Sequence, residues 1–151
     1  MTTTASAPQH RRTRFGLLVG SVYRQWRRQI DMAFKDEGLS DATRSPLIAL
    51  YDHGEPMRQK DLAHALYLDT SSLVRVLAYL RKSGLVDWQQ DPQDRRGKLI
   101  ALTPQGHATV TSILAKSLDI ERTILADLTP EEFAATQRVL QKISQRFQAM
   151  G

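Results

Sequence analysis

"LVDWQQDPQDRRGKLIALT", residues 85–103, decides the fold. Its ends, 85–90 and 98–103, read as two short antiparallel strands, and "DPQDRRGK" at 91–98 reads as the loop that joins them into a hairpin. The loop carries Arg95, Arg96 and Lys98 together with Asp91 and Asp94. A mixed-charge, solvated turn is the ordinary reading of such a loop on its own. What precedes it in the chain changes that reading.

Immediately upstream, residues 59–66 have the length and apolar spacing of a short helix burying Leu62, Ala63 and Leu66. In "LDTSS", Asp69 is placed to cap a second helix by accepting from the backbone amide of Ser71 or Ser72. That helix runs to about Lys82, stops at Gly84, and turns Leu73, Val76, Leu77 and Leu80 inward. Two helices around a tight turn over 59–82 have the size of a helix-turn-helix, whose second helix fits the major groove of B-DNA. Thr70, Ser71, Ser72 and Arg75 fall near its amino end and off the apolar stripe, where side chains reach base edges and phosphates. The hairpin alongside is then a wing. An arginine at its tip can enter the minor groove, and Asp94, two residues before Arg96, is placed to pair with that guanidinium and fix its direction in advance.

Further out, Phe15, Val19, Val22, Trp26, Ile30 and Ala33 recur at three- and four-residue steps, so residues 12–36 form a long amphipathic helix ending at Gly38, with Arg24, Arg27 and Arg28 on its other face. Ser40 or Asp41 caps a helix through about Asp52 that turns Leu47, Leu50 and Tyr51 inward and tolerates Pro46 near its start. Thr103-Pro104 opens another helix, with Val110, Leu114, Leu118 and Leu125 on one side. Thr129 and Glu132 form a capping box for the last, which shows Phe133, Leu140, Ile143 and Phe147. Residues 1–10, "MTTTASAPQH", are small, polar and without period, and read as a disordered lead-in. The expected fold is therefore mainly α with a small β hairpin. Residues 11–151 form a single domain in which 40–103 is a winged helix-turn-helix, while the helices of 11–38 and 104–150 carry more apolar face than a small winged helix can cover, as dimerisation helices would.

Composition agrees. The chain has 151 residues, a hydrophobic fraction of 41% and a formal net charge of +5, with a pI near 9.8, a balance that favours nucleic acid or an anionic surface. Cysteine is absent, which removes disulfides, thiol nucleophiles and Cys-containing zinc sites and suits a cytoplasmic protein. "FGLLVG" at 15–20 is too short for a secretory core, and no run is long enough to span a bilayer. Neither a glycine-rich phosphate loop nor an HExxH motif is present, and Ser71 and Ser72 have no His-Asp constellation near them in sequence, so no enzyme and no cofactor is expected. His10, His53, His64 and His107 are scattered without an i, i+4 metal pair. A metal site would need distant segments to converge, and none is assigned.

"SLVRVLAYLRKSGLVDWQQDPQDRRGKLIALTPQG", residues 72–106, resembles the signature of the MarR family of winged-helix transcription regulators, with "D-x-R" at Asp94 to Arg96 followed by Leu102, Thr103 and Gly106. The order of helices is similar over about 12–149. The resemblance implies a homodimer, joined through the first and last two helices, that binds a palindromic double-stranded DNA operator and represses. It implies that 69–82 is the recognition helix and that Arg96 is the minor-groove residue. Two positions depart from the pattern. Arg58 stands where such proteins commonly place Ser or Thr as a helix cap, and is free to serve a phosphate instead, and Arg44 stands near a position often aromatic. The resemblance also implies a small aromatic acid effector, for which this chain offers Tyr23 and Trp26 to stack, Arg27 or Arg44 to hold a carboxylate, and His53 nearby. The competing expectations are a winged-helix adaptor that contacts a protein instead of DNA, which would not need Arg95, Arg96 and Lys98, and a basic membrane-surface helix at 11–36.

Overall fold

A computed structural model describes residues 14–151. The lead-in expected over 1–10 and the first residues of the opening helix lie outside the described residues. Helix α1 spans Phe15–Ala33 and runs into a short 3-10 turn, Lys35–Glu37. Phe34, between them, is fully buried. Helix α2 is Asp41–His53, α3 Gln59–Ala65 and α4 Thr70–Lys82; α5 covers Pro104–Ile124 and α6 Pro130–Met150. The strands are β1, Met57–Arg58, β2, Val86–Asp91, and β3, Asp94–Leu102.

The hairpin belongs to a three-stranded antiparallel sheet of order β1-β3-β2. Strand β1 pairs Met57 with Ile100 and Arg58 with Leu99. Two residues are too few to show an alternating pattern, which is why the sequence gives no sign of this strand. The hairpin itself is longer than expected. Residues 91–98 were expected to be loop, but pairing continues through Gln90 with Lys98 to Asp91 with Asp94, with a register shift between Gln90 and Asp91. The turn shrinks to Pro92-Gln93, so Arg95 and Arg96 stand on β3 near its start and not at a loop tip. Cross-strand hydrogen bonds outweigh the weak strand propensity of Asp and Gly here, because each buried or half-buried peptide group requires a partner.

The chain divides into two compact units, one ending at Leu114 and the other spanning Ala115–Gly151. The core of the first is built from Leu47 and Leu50 of α2, Leu62 of α3, Leu73, Leu77 and Leu80 of α4, Ile100 of the sheet, and Val110 and Ile113 of α5. The expected inward face of α4 is therefore realised, whereas Tyr51 of α2 is 38% exposed and leans edge-on toward His107. Gly106 and Thr103 join α5 to the end of α4. The Thr103 hydroxyl donates to the Gly84 carbonyl at 2.6 Å and accepts from the Gly106 amide at 3.0 Å, while the Thr103 amide donates to the Leu85 carbonyl at 3.1 Å. A Cβ on Gly106 would lie 2.0 Å from that same carbonyl oxygen, so only glycine allows the approach.

In the second unit, α6 begins with the expected capping box. The Glu132 amide donates to the Thr129 hydroxyl at 3.1 Å, and the Thr129 amide to the Glu132 carboxylate at 3.0 Å. Leu140 and Phe147 remain 46% and 67% exposed, and on α1 so do Phe15 and Val22, at 49% and 48%.

Candidate nucleic-acid interface

Helix α4 starts where an acid side chain meets free amides. Asp69 accepts from the Ser72 amide at 2.7 Å and from the Ser72 hydroxyl at 3.1 Å. These two bonds from Ser72, the backbone one first, hold the Asp69 carboxyl below the usual range for an aspartate. The cap thus engages the hydroxyl of Ser72, which was expected to reach DNA, whereas Thr70, Ser71 and Arg75 are exposed. The turn before the cap contains a residue the sequence did not single out. Tyr67 adopts a left-handed backbone, φ 55°, and leaves its side chain 89% exposed. Glycine or asparagine would take that conformation at lower cost; tyrosine pays about 1 to 2 kcal/mol there.

The wing stands beside α4. Arg95 and Arg96 are exposed and form no ion pair among the described residues. Both lie in the stretch 95–97 that the register shift leaves without a partner on β2. Asp94 does not pair with the Arg96 guanidinium as expected. It accepts from the Arg96 backbone amide at 3.0 Å, the reach natural to an aspartate two residues earlier in a turn. Lys98 is exposed but not free. Its ammonium lies 4.8 Å from the centre of the Trp88 ring, and the Arg81 guanidinium lies 4.1 Å from the same centre. Arg81 also meets Asp87 at 3.1 Å, so Lys98, Trp88 and Arg81 fasten the base of the wing to the end of α4.

Arg58 answers a question the sequence raised. It occupies the cap position of α3 with no side-chain cap bond. Its guanidinium goes neither to the helix amides nor to open solvent. Nε lies 2.8 Å from Asp91 Oδ2, and Nη2 donates to Gln93 Oε1. Asp91, only 3% exposed, also accepts from the Gln93 amide at 2.9 Å. The sequence counts Asp91 only among the charges of the loop at 91–98; with the added ladder pairing and the Arg58 contact it is buried.

The proposed effector residues do not converge. Tyr23 is 57% exposed and Trp26 half-buried on α1, and Arg27 meets Asp31 at 3.7 Å and Asp41 at 3.6 Å. Arg44 is 3% exposed. It donates to Asp31 Oδ1 at 2.6 Å and to the Leu39 carbonyl at 2.7 Å, and its guanidinium lies 5.2 Å from the centre of the Phe34 ring. The acidic partner that such a buried guanidinium requires is therefore supplied by α1 of the same chain. His53 closes α2 with Nδ1 3.0 Å from the Glu55 carbonyl oxygen. A crevice of about 710 Å³ is lined by Arg24, Arg27, Arg28, Asp31, Phe34 and Lys35 among others, and of the five effector residues only Arg27 borders it.

Comparison with known proteins places this geometry. The sequence model of the MarR family matches residues 45–98, from α2 through the wing. The HTH-type transcriptional regulator YdgJ of Bacillus subtilis is 30% identical over 95 residues, 63% of this chain and 57% of that protein, so the match spans little more than half of that relative's length. The crystal structure of the transcriptional regulator PA3341 superposes with a TM-score of 0.80 at 30% identity, covering 89% of this chain and 98% of that one. BpsR of Bordetella bronchiseptica, whose DNA binding is regulated by 6-hydroxynicotinic acid, superposes with a TM-score of 0.75 at 28% identity, covering 86% and 92%. With the matching stretch falling on the helix-turn-helix and wing, and the fold shared over nearly the whole of its structural relatives, the chain belongs to the MarR family.

Proposed function

We propose that the protein is a transcription repressor of the cytoplasm that binds a palindromic operator as a homodimer and releases it on binding a small aromatic acid. The observation that carries the DNA reading is the pairing of two exposed sets: Thr70, Ser71 and Arg75 at the start of α4, and Arg95 and Arg96 on the adjacent wing, neither arginine committed to an ion pair among the described residues. A helix end that reads base edges and a wing that senses groove width together make a two-groove contact. Exposed apolar side chains on α1 and α6 support a dimer, because a monomer gains nothing from leaving Leu140 and Phe147 in water. Such a dimer would set two recognition helices about one helical turn apart on the duplex. Among the described residues no helix is long and apolar enough to cross a membrane.

For the effector, Arg27 is the better anchor of the two arginines read from the sequence. Its ion pairs are long and its side chain is 48% exposed, whereas Arg44 is already saturated. Arg24, Arg28 and Lys35 add positive charge around the same crevice. The small aromatic acid that regulates BpsR has the chemistry such a crevice would hold.

The test is a gel-shift titration with a duplex carrying the inverted repeat upstream of the protein's own gene. Arg96→Ala should weaken binding by about 1 to 3 kcal/mol, and affinity should fall steeply with salt. Benzoates, hydroxybenzoates and pyridine carboxylates should weaken wild-type binding and act less on Arg27→Ala. Wild-type affinity in Arg96→Ala would remove the wing from the interface. Equal responses of the two proteins to the acids would remove Arg27 from the effector site.

A further inference from the structure

We propose that Arg58, Asp91 and Gln93 form a strut that sets the direction of the wing, making Arg58 a positioning residue for operator binding although it need not touch DNA. The inference rests on the DNA-binding reading above and adds to it the device that aims the wing. Arg58 lies on β1, the strand that leads directly into α3, and pairs across the sheet with Leu99. Its guanidinium reaches past β3 to the turn, taking Asp91 Oδ2 at 2.8 Å and the side chain of Gln93. Asp91 closes the triangle by accepting from the Gln93 amide at 2.9 Å. The turn is thereby held at its backbone, through Asp91, and at its side chain, through Gln93.

Three features mark this as more than a surface ion pair. Asp91 is 3% exposed, so its charge needs a partner, and beyond the Arg58 ion pair Oδ2 has no hydrogen bond among the described residues. The contact sits at the register shift between Gln90 and Asp91, where ladder pairing is irregular and the hairpin would otherwise be free to bend. The position also gives up a side-chain cap on α3 to supply the strut. Arg95 and Arg96 follow the turn within a few residues, so a bend at the turn moves both guanidinium groups relative to α4. Two hydrogen-bonding groups held in advance reduce the ordering that binding must otherwise impose.

The substitution that separates positioning from mere stability is Arg58→Ser, which restores a capping side chain to α3 while removing the strut. In the free protein, amide hydrogen exchange at Gln93, Arg95 and Arg96 should speed up by about tenfold, a local opening that leaves the core amide of Leu62 unchanged. Operator affinity should fall by about five- to tenfold, as expected when a short segment must be ordered on binding. The effect of Arg96→Ala should shrink in the Arg58→Ser background, because a misdirected arginine has less to lose. Asp91→Asn should speed wing exchange in the same way. Wild-type exchange at Gln93–Arg96 in Arg58→Ser overturns the strut, as does faster exchange with undiminished affinity. A wild-type protein that binds no duplex defeats the DNA reading instead, and the exchange measurement still reports separately on whether Arg58 orders the wing.

Discussion

A methyl group added at Gly106 would stand 2.0 Å from the Leu85 carbonyl oxygen, closer than any relaxed contact permits. The neighbour is backbone, at the point where the Thr103 amide already donates, so it has little room to retreat. Gly106→Ala is therefore expected to destabilise the fold by about 3 kcal/mol, the upper part of the range for overpacking, despite the better helix propensity of alanine. Chemical denaturation should show a lower midpoint with an unchanged slope. A midpoint equal to wild type would mean that the α5 start can slide. The glycine was visible in the sequence as part of a signature, but the carbonyl that requires it comes from the other end of the hairpin. Arg44 is a similar case. A lone arginine on the apolar side of a helix looked like an invitation to a ligand, and the Asp31 that satisfies it lies on another helix.

At the scale of the element, α4 depends on a charged cap and so on pH. Its Asp69 carboxyl is held below the ordinary aspartate range by the backbone and then the hydroxyl of Ser72. With the folded value below the unfolded one, about 3.9, the stabilisation is complete above the unfolded value and is lost as pH falls through the folded one. The Ser72 amide should thus exchange faster, relative to core amides, as pH is lowered below about 4. Asp69→Asn, which still caps but does not titrate, should abolish that dependence. If wild type and Asp69→Asn follow the same curve, the cap is not controlled by this carboxyl. The hairpin shows the opposite balance between local and distant forces. Its strands were placed correctly at their bases, but the pairing of β3 with β2 runs past Gln90 and Lys98 to Asp91 and Asp94, so the turn closes at Pro92-Gln93.

For the whole molecule the decisive quantity is apolar surface left in water. Leu140 and Phe147, seven residues apart, share one face of α6, and Phe15 and Val22 share one face of α1. All four are well exposed in the single chain. If these faces meet a second copy, sedimentation at micromolar concentration should report twice the chain mass of 17.1 kDa. Leu140→Glu combined with Phe147→Glu should shift the protein to monomer, since burying two carboxylates in an apolar interface costs far more than the lost contacts alone. The same variant should lose the affinity gained from engaging two half-sites together. A doubly substituted protein that stays dimeric would show that α6 is not part of the interface.

The sequence by itself determined the helices, their caps at Asp69 and Thr129, the inward residues of α4, and the hairpin that identified a winged helix-turn-helix. Those features rest on interactions within a few residues, a carboxylate with an amide three positions on or an apolar side chain with its neighbour one turn away, so spacing alone reveals them. Only the tertiary structure decided how the charges were spent. Asp94 took a backbone amide in place of Arg96, Arg44 found Asp31, Lys98 settled over Trp88, and Arg58 reached across the sheet to Asp91. Each of those partners is selected by distance in the folded chain. A long, flexible charged side chain can satisfy itself with any opposite charge within reach, and what lies within reach is set by packing.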